Sequence, residues 1–231
     1  GDDPKFIGSG PTINSNVKVD QAIEIIKKYN IDVSEDILNI IKNNKFPKIE
    51  PTPFYFISTP MMALRAAEAE AYRKKFYPII LTDRLEGEAS IEGEKMANLA
   101  IKVKKEKKYK NFVLDKPILL LSGGETTVTL KGNGFGGRNT EFMLSMAKKL
   151  NGAEGIYGLA IDTDGIDGNM DNAGSFISPK TILKASEKKM NLDKFLQTND
   201  SYTFFKNIND LIFTKPTLTN VNDFRAILIL P

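Results

Sequence analysis

The sequence predicts an α/β fold, a mixed sheet flanked by helices on both faces. Short apolar strands (YPIILT, PILLL, GIYGLAI, FRAILIL) alternate with stretches of helical rhythm along most of the 231 residues. The loops that follow the apolar runs are rich in glycine, aspartate and hydroxyl residues. With 41% hydrophobic and 26% charged residues, the chain can bury a sizeable core.

From the N-terminus, VDQAIEIIKKYN places apolar residues at 19, 22, 23, 25 and 26, a helical period. SEDILNIIKNN gives a second short helix with Ser34 as its N-cap. KFPKIEPTP holds three prolines within seven residues and reads as a linker or domain crossing. FYFIS is strand-like, and Thr59-Pro60 supplies a cap and a first-turn proline for the helix MMALRAAEAEAYRKK. After the strand YPIILT, the loop DRLEGEAS leads into a long charged helix. Its basic end, KVKKEKKYK, reads as a solvated terminus with lysines near the negative end of the helix dipole.

PILLLSGG and ETTVTLKG read as two strands of a hairpin around the SGGETT turn. A glycine loop and the helix NTEFMLSMAKKL come next, then the strand GIYGLAI and the acidic loop DTDGIDGNMD. Helices over SPKTILKASEKK and NDSYTFFKNI precede two closing strands, DLIFT and FRAILIL, on either side of KPTLTNVND.

Composition narrows the chemistry. The 32 basic and 29 acidic residues leave a net charge of +3 spread along the chain, too mild for a nucleic-acid partner. No apolar run approaches the roughly 20 residues that span a bilayer. GDDPKFIGSGPT lacks the basic segment and apolar core of a secretory signal, so the expectation is a cytoplasmic enzyme. With no cysteine, disulfides and thiolate metal sites are excluded. With no histidine, so are Ser-His-Asp triads, imidazole bases and histidine-ligated zinc. Phosphoryl transfer needs little beyond positioning and charge stabilisation, whereas hydride transfer to a ketone wants a proton donor. The balance tilts towards a kinase.

In GNGFGGRNTEF, Gly132, Gly134 and Gly137 have the G-x-G-x-x-G spacing of dinucleotide-binding loops. Glycines let backbone approach an oxyanion, and amides at the following helix start donate to it. Gly136 and Gly137 adjoin Arg138, whose planar fork can clamp phosphate oxygens at two points. The spacing alone leaves two readings, a phosphate loop or a glycine-rich turn with a structural arginine.

In DTDGIDGNMD, the acids Asp162, Asp164, Asp167 and Asp171 follow a buried strand, where open α/β sheets bind ligands. An EF-hand counted from Asp162 puts Ile166 at position 5 and Ala173 at position 12, so calcium of that type is excluded. Magnesium, bound through one or two carboxylates and several waters, fits better. A solvated Asp/Gly turn is the alternative. At another strand end, Ser122, Gly123, Gly124, Glu125 and Thr126 can form an anion nest or a plain turn. GSGPT (8–12) and TLTNVND (217–223) are similar candidates.

Together, SGGETTVTLKGNGFGGRNTEF, AIDTDGIDGNMDNAG and TNVNDFRAILI resemble the C-terminal part of the glycerate 2-kinase family that carries the MOFRL domain. GDDPKFIGSGPT and LTDRLEGEA resemble upstream stretches of the same family in the same order. The resemblance implies an enzyme that uses ATP and magnesium to phosphorylate the 2-hydroxyl of D-glycerate. Members are often labelled hydroxypyruvate reductases. It implies residues 1–50 as the end of an N-terminal kinase domain and 51–231 as a C-terminal MOFRL-type domain. A lysine of the N-terminal domain would act with Arg138. That domain, in cis or as a separate chain, is then an expected partner, and this chain alone is expected to be inactive. A homodimer is allowed.

Carried over to this sequence, the family implies that Arg138 stabilises charge on the transferring phosphoryl group, with Asn139 and Glu141 shaping the same site. Asp162 and Asp164 would serve catalysis, Asp164 and Asp167 would bind magnesium, and Asn220 and Asp223 would line the cleft. Two departures stand out. The family commonly has glycines where this chain has Lys215 and Leu218, and ISTP at 57–60 replaces a small polar strand-end motif. The rival readings are an NAD(P)-dependent hydroxypyruvate reductase and a non-catalytic anion-binding domain.

Overall fold

The computed structural model describes residues 3–14, 17–44, 50 and 53–231. The chain divides into two compact units, Gly1–Ile57 and Ser58–Pro231.

In the first unit a 3-10 turn at Ile7–Ser9 precedes α1 (Val19–Lys28) and α2 (Glu35–Asn43). Ser34 caps α2 by accepting from the Ile37 amide at 3.4 Å. No described residue of this unit is buried, so its helices rest on local rules rather than on a core. The GSGPT loop belongs to this unit. Most of the proline-rich KFPKIEPTP segment lies outside the described residues. FYFIS forms no strand: Tyr55 is 87% and Ile57 93% exposed. β-branched and aromatic residues favour a strand only where a neighbouring strand and a buried face exist.

The second unit begins with α3 (Pro60–Arg73), its first turn closed by Thr59 accepting from the Met62 amide. Then follow β1 (Tyr77–Leu85), α4 (Ala89–Glu106), the short β2 (Lys108–Tyr109) and β3 (Phe112–Val113), and β4 (Ile118–Gly124). The remaining elements are α5 (Arg138–Leu150), β5 (Ile156–Asp162), β6 (Gly174–Ile177), α6 (Thr181–Glu187), α7 (Leu192–Gln197), α8 (Ser201–Ile208), β7 (Leu211–Ile212) and β8 (Asp223–Ile229). The lysine-rich stretch supplies the last turn of α4, with Lys104 and Lys105 at its end, but does not carry the helix beyond Glu106. Lys107 turns left-handed after Glu106, and the chain folds back as the antiparallel β2–β3 pair.

The six-stranded sheet runs β1-β4-β8-β5-β6-β7, with β1 and β4 parallel and the other pairs antiparallel. β4 is buried on both faces, and its first four residues form an unbroken apolar run. β8 alternates instead, burying Asp223, Arg225, Ile227 and Ile229 on one face. On that face α5 lays down Phe142 against Arg225 and Met143 against Gly158, both fully buried and each worth about 1.5–3 kcal/mol. α4 approaches α5 so closely at Gly93 that an added Cβ would lie 2.3 Å from the Phe142 carbonyl oxygen. α3 covers the other face, where its Leu64 packs beside Gly123. The fold is therefore α/β, with helices on both faces.

The expected hairpin around SGGETT is absent from this fold. β4 already has β1 and β8 as neighbours, so residues 125–131 leave the sheet. They meet the preceding segment at the Glu88–Thr127 bridge, where the Thr129 amide and hydroxyl also donate to the Glu88 carboxylate. β6 has no counterpart among the strands read from sequence.

Candidate active site

β4 and β5 end, and β8 begins, at one edge of the sheet. The register places Gly124, Asp223 and Asp162 side by side there. α5 starts above that row, so its first residue, Arg138, reaches down onto it. Arg138 Nε donates to Asp223 Oδ1 at 2.8 Å, and Nη2 donates to Asp162 Oδ2 at 2.5 Å. On the outer side Nη1 lies 3.3 Å from Glu125 Oε1. Asp162 and Asp223 are buried, while Glu125 is exposed. The guanidinium is thus fixed along its inner edge and open along its outer one. Asn139 adds a donor, its Nδ2 lying 2.8 Å from Asp223 Oδ1.

Burial, with Asp223 and Asp164 nearby, pushes the Asp162 carboxyl up to about 7 against the pull of the Asp164 amide and the Arg138 guanidinium. A carboxyl held there gains and loses its proton near neutrality.

Asp164 lies two residues beyond Asp162. Its Oδ1 accepts from the Ile166 amide, and its Oδ2 accepts from Asn220 at 3.3 Å. Thr163 binds the 220s loop further: its amide and hydroxyl both donate to the Asn222 carbonyl, and the hydroxyl accepts from the Val221 amide. Lys215 (φ +63°) and Leu218 (φ +61°) both adopt the left-handed backbone there. The loop keeps a shape suited to glycine although neither residue is one, at roughly 1–2 kcal/mol each.

Asp167 has a different task. It is fully buried, and its carboxylate accepts from the amides of Asn139 and Thr140 at 2.9 and 2.8 Å and from the Thr140 hydroxyl at 2.8 Å. An acid from a distant loop therefore caps α5, occupying the helix terminus that would otherwise attract a phosphate. Both Asp167 oxygens are thus engaged by the start of α5. Among the described residues no group of three or more acidic side chains could hold a metal. The acidic cluster is balanced by guanidinium instead.

The glycine loop likewise has amides taken from within, those of Lys131, Gly132, Gly134, Phe135 and Gly137. Asn199 Oδ1 accepts from the Lys131 and Gly132 amides, and Asp200 Oδ1 from the Phe135 amide. The Gly134 amide donates to the Thr198 carbonyl and the Gly137 amide to the Thr140 hydroxyl. A Cβ on Gly132, Gly134 or Gly137 would lie 2.6, 2.4 or 2.4 Å from residues 198, 200 and 167 respectively. The spacing of these three glycines thus serves close packing, which favours the glycine-rich turn of the two readings. Gly136, at φ +156°, shapes the same turn.

The other expected residues fall in distinct places. Ser122 is buried beneath the row, Gly123 faces α3, and Gly124 sits against Leu85 of β1. Thr126 is buried and accepts from Arg225. Glu141 does not join Arg138. Its Oε2 accepts from Asn199 at 3.0 Å, and it lines a separate cavity of about 600 Å³ with Ser90, Lys131 and Ser145. Burial there pushes the Glu141 carboxyl upward against the Asn199 hydrogen bond. Asn199, Asp200 and Arg225 escaped the sequence reading. Asn199 and Asp200 sit at the start of a predicted helix, and Arg225 is a charge inside an apolar strand, the one signal that could have marked it.

The pattern of the MOFRL family matches residues 118–223, and that of a domain of unknown function, DUF4147, matches residues 1–42. A protein of Agrobacterium vitis that carries the provisional name hydroxypyruvate reductase is 43% identical over 99% of this chain and 52% of its own length. The D-glycerate 2-kinase of Thermotoga maritima is 35% identical over 96% of this chain and 52% of its own. The crystal structure of glycerate kinase from Thermotoga maritima superposes with a TM-score of 0.86 at 33% identity, covering 99% of this chain and 54% of that one. The chain thus spans about half the length of these relatives. No helix among the described residues is long and apolar enough to cross a membrane. Arg138, its two buried aspartates and the Asp167 cap all fall inside residues 118–223, the span that matches the MOFRL family.

Proposed function

We propose that this chain is the C-terminal portion of an ATP-dependent glycerate kinase of the cytoplasm that phosphorylates the 2-hydroxyl of D-glycerate. The observation that carries the proposal is the Arg138 fork, docked on Asp223 and Asp162 with its outer edge open towards Glu125. Such a guanidinium is pre-aimed and needs no reorganisation when charge develops on a transferring phosphoryl group. The phosphoryl oxygens take the outer nitrogens in place of the exposed Glu125. Asp162, at about 7, accepts the proton of the attacking hydroxyl. Asp164 and Asn220 orient the substrate beside it.

Magnesium would arrive with the nucleotide phosphates and supply charge neutralisation, and Asp164 is the carboxylate of this set placed to hold it. The site is completed by a kinase domain in cis or as a separate chain, whose lysine acts with Arg138. This chain alone is expected to be inactive, and a homodimer is compatible with the reading. The test is ADP release from ATP and D-glycerate by this chain with that domain restored, run beside NADH consumption with hydroxypyruvate. ADP release supports the proposal, and NADH consumption without ADP release rejects it. The close packing of Gly132, Gly134 and Gly137 against residues 198, 200 and 167 favours the first outcome.

A further inference from the structure

Arg225 heads the largest fully buried side chains of the described residues. On β8 it sits between Ser122 of β4 and Ala160 of β5, its guanidinium carbon 4.9 Å from the centre of the Phe142 ring. Its Nη2 donates to Asp223 Oδ2 at 2.5 Å and to Thr126 Oγ1 at 3.0 Å. Its Nε and Nη1 have no partner among the described residues. A guanidinium sealed in the interior with donors unmet is more costly than an apolar side chain of equal volume. Packing alone does not account for an arginine here.

What it does have is Asp223. That carboxylate is divided between two guanidiniums: Oδ2 faces Arg225 from inside, and Oδ1 faces Arg138 Nε and Asn139 Nδ2, each at 2.8 Å. The interior contact fixes the rotation of the carboxylate and so fixes where Oδ1 points. Without it, Asp223 and its cross-strand neighbour Asp162 would share one cation, Arg138.

We propose that Arg225 is a positioning residue for Arg138: it locks Asp223 so that Arg138 stays docked at Nε with its outer nitrogens aimed at the substrate. The proposal rests on the reading of Arg138 as the group that stabilises the transferring phosphoryl. Arg225 touches no substrate itself and acts through a carboxylate.

The test uses Arg225→Met and Arg225→Lys in the full-length enzyme. Hydrogen exchange of the Arg138 Nε–H is followed by NMR, with kcat and KM measured on the same samples. In Arg225→Met the Nε–H is expected to exchange at least about tenfold faster. There kcat falls at least about tenfold while KM for D-glycerate and ATP stays within about twofold, and Arg225→Lys recovers part of both losses. A folded Arg225→Met protein with wild-type exchange and kcat overturns the proposal. Should the methionine variant fail to fold, Arg225→Lys decides, because its shorter reach cannot serve Asp223 and Thr126 together. Faster Arg138 exchange then supports the proposal and unchanged exchange overturns it. The exchange readout needs no turnover, so a wild-type enzyme without kinase activity would sink the functional reading while the positioning claim is still decided.

Discussion

Arg138 and Asp223 stand 85 residues apart in sequence and meet at 2.8 Å, Nε to Oδ1, at the start of α5 and of β8. That contact turns a flexible surface arginine into a fixed fork. Lysine at 138 keeps the charge but cannot serve two carboxylates and a phosphoryl group at once. Arg138→Lys is expected to lower turnover by about 100-fold or more while leaving the circular dichroism spectrum unchanged. Wild-type turnover in this variant would mean the arginine is structural.

Asp162 links the site to pH. Its folded-state pKa, about 7, lies above the ordinary 3.8. The carboxyl therefore favours the fold most while protonated, and that contribution is lost as pH rises through about 7. The Asp162→Asn variant, uncharged and of the same shape, should match wild-type stability near pH 4 and gain on it towards pH 8. Denaturant titrations across that range test this, and a variant that instead loses ground as pH rises would show that Arg138 outweighs burial.

Asp167 makes a structural prediction. Asp167→Ala leaves the Asn139 and Thr140 amides buried without acceptors. The expected loss is about 2–4 kcal/mol in urea unfolding. A loss under about 0.5 kcal/mol would rule out the cap as a major anchor of α5.

The 220s loop makes the opposite prediction. Lys215→Gly and Leu218→Gly relieve left-handed backbone at solvent-facing positions and should each raise stability by about 0.5–1 kcal/mol. Destabilisation by both would show that their side chains have packing roles that outweigh the strain.

Much of this architecture was legible in local signals. Ser34 and Thr59-Pro60 mark helix starts because capping is decided within four residues, and YPIILT and FRAILIL announce buried strands by composition alone. ETTVTLKG misled because β1 and β8 already flank β4, and FYFIS because its side chains, Tyr55 and Ile57 above all, find no buried face. At the site, Arg138, Asp162 and Asp223 carry polar chemistry that a sequence displays openly. The actual tasks of Asp167 and the glycines depend on partners 27 to 67 residues away. Spacing cannot reveal that an acid has filled the helix terminus, or that Asn199 has taken the loop's amides.

The account depends most on the open edge of the Arg138 fork receiving a phosphoryl group. Its most direct measurement is ADP release from ATP and D-glycerate by the full-length enzyme, wild type against Arg138→Lys, with Asp167→Asn as a control for fold damage. The account predicts robust release by wild type, a collapse in the lysine variant, and turnover in the control that falls only as far as its stability does. Equal release by wild type and Arg138→Lys would contradict it.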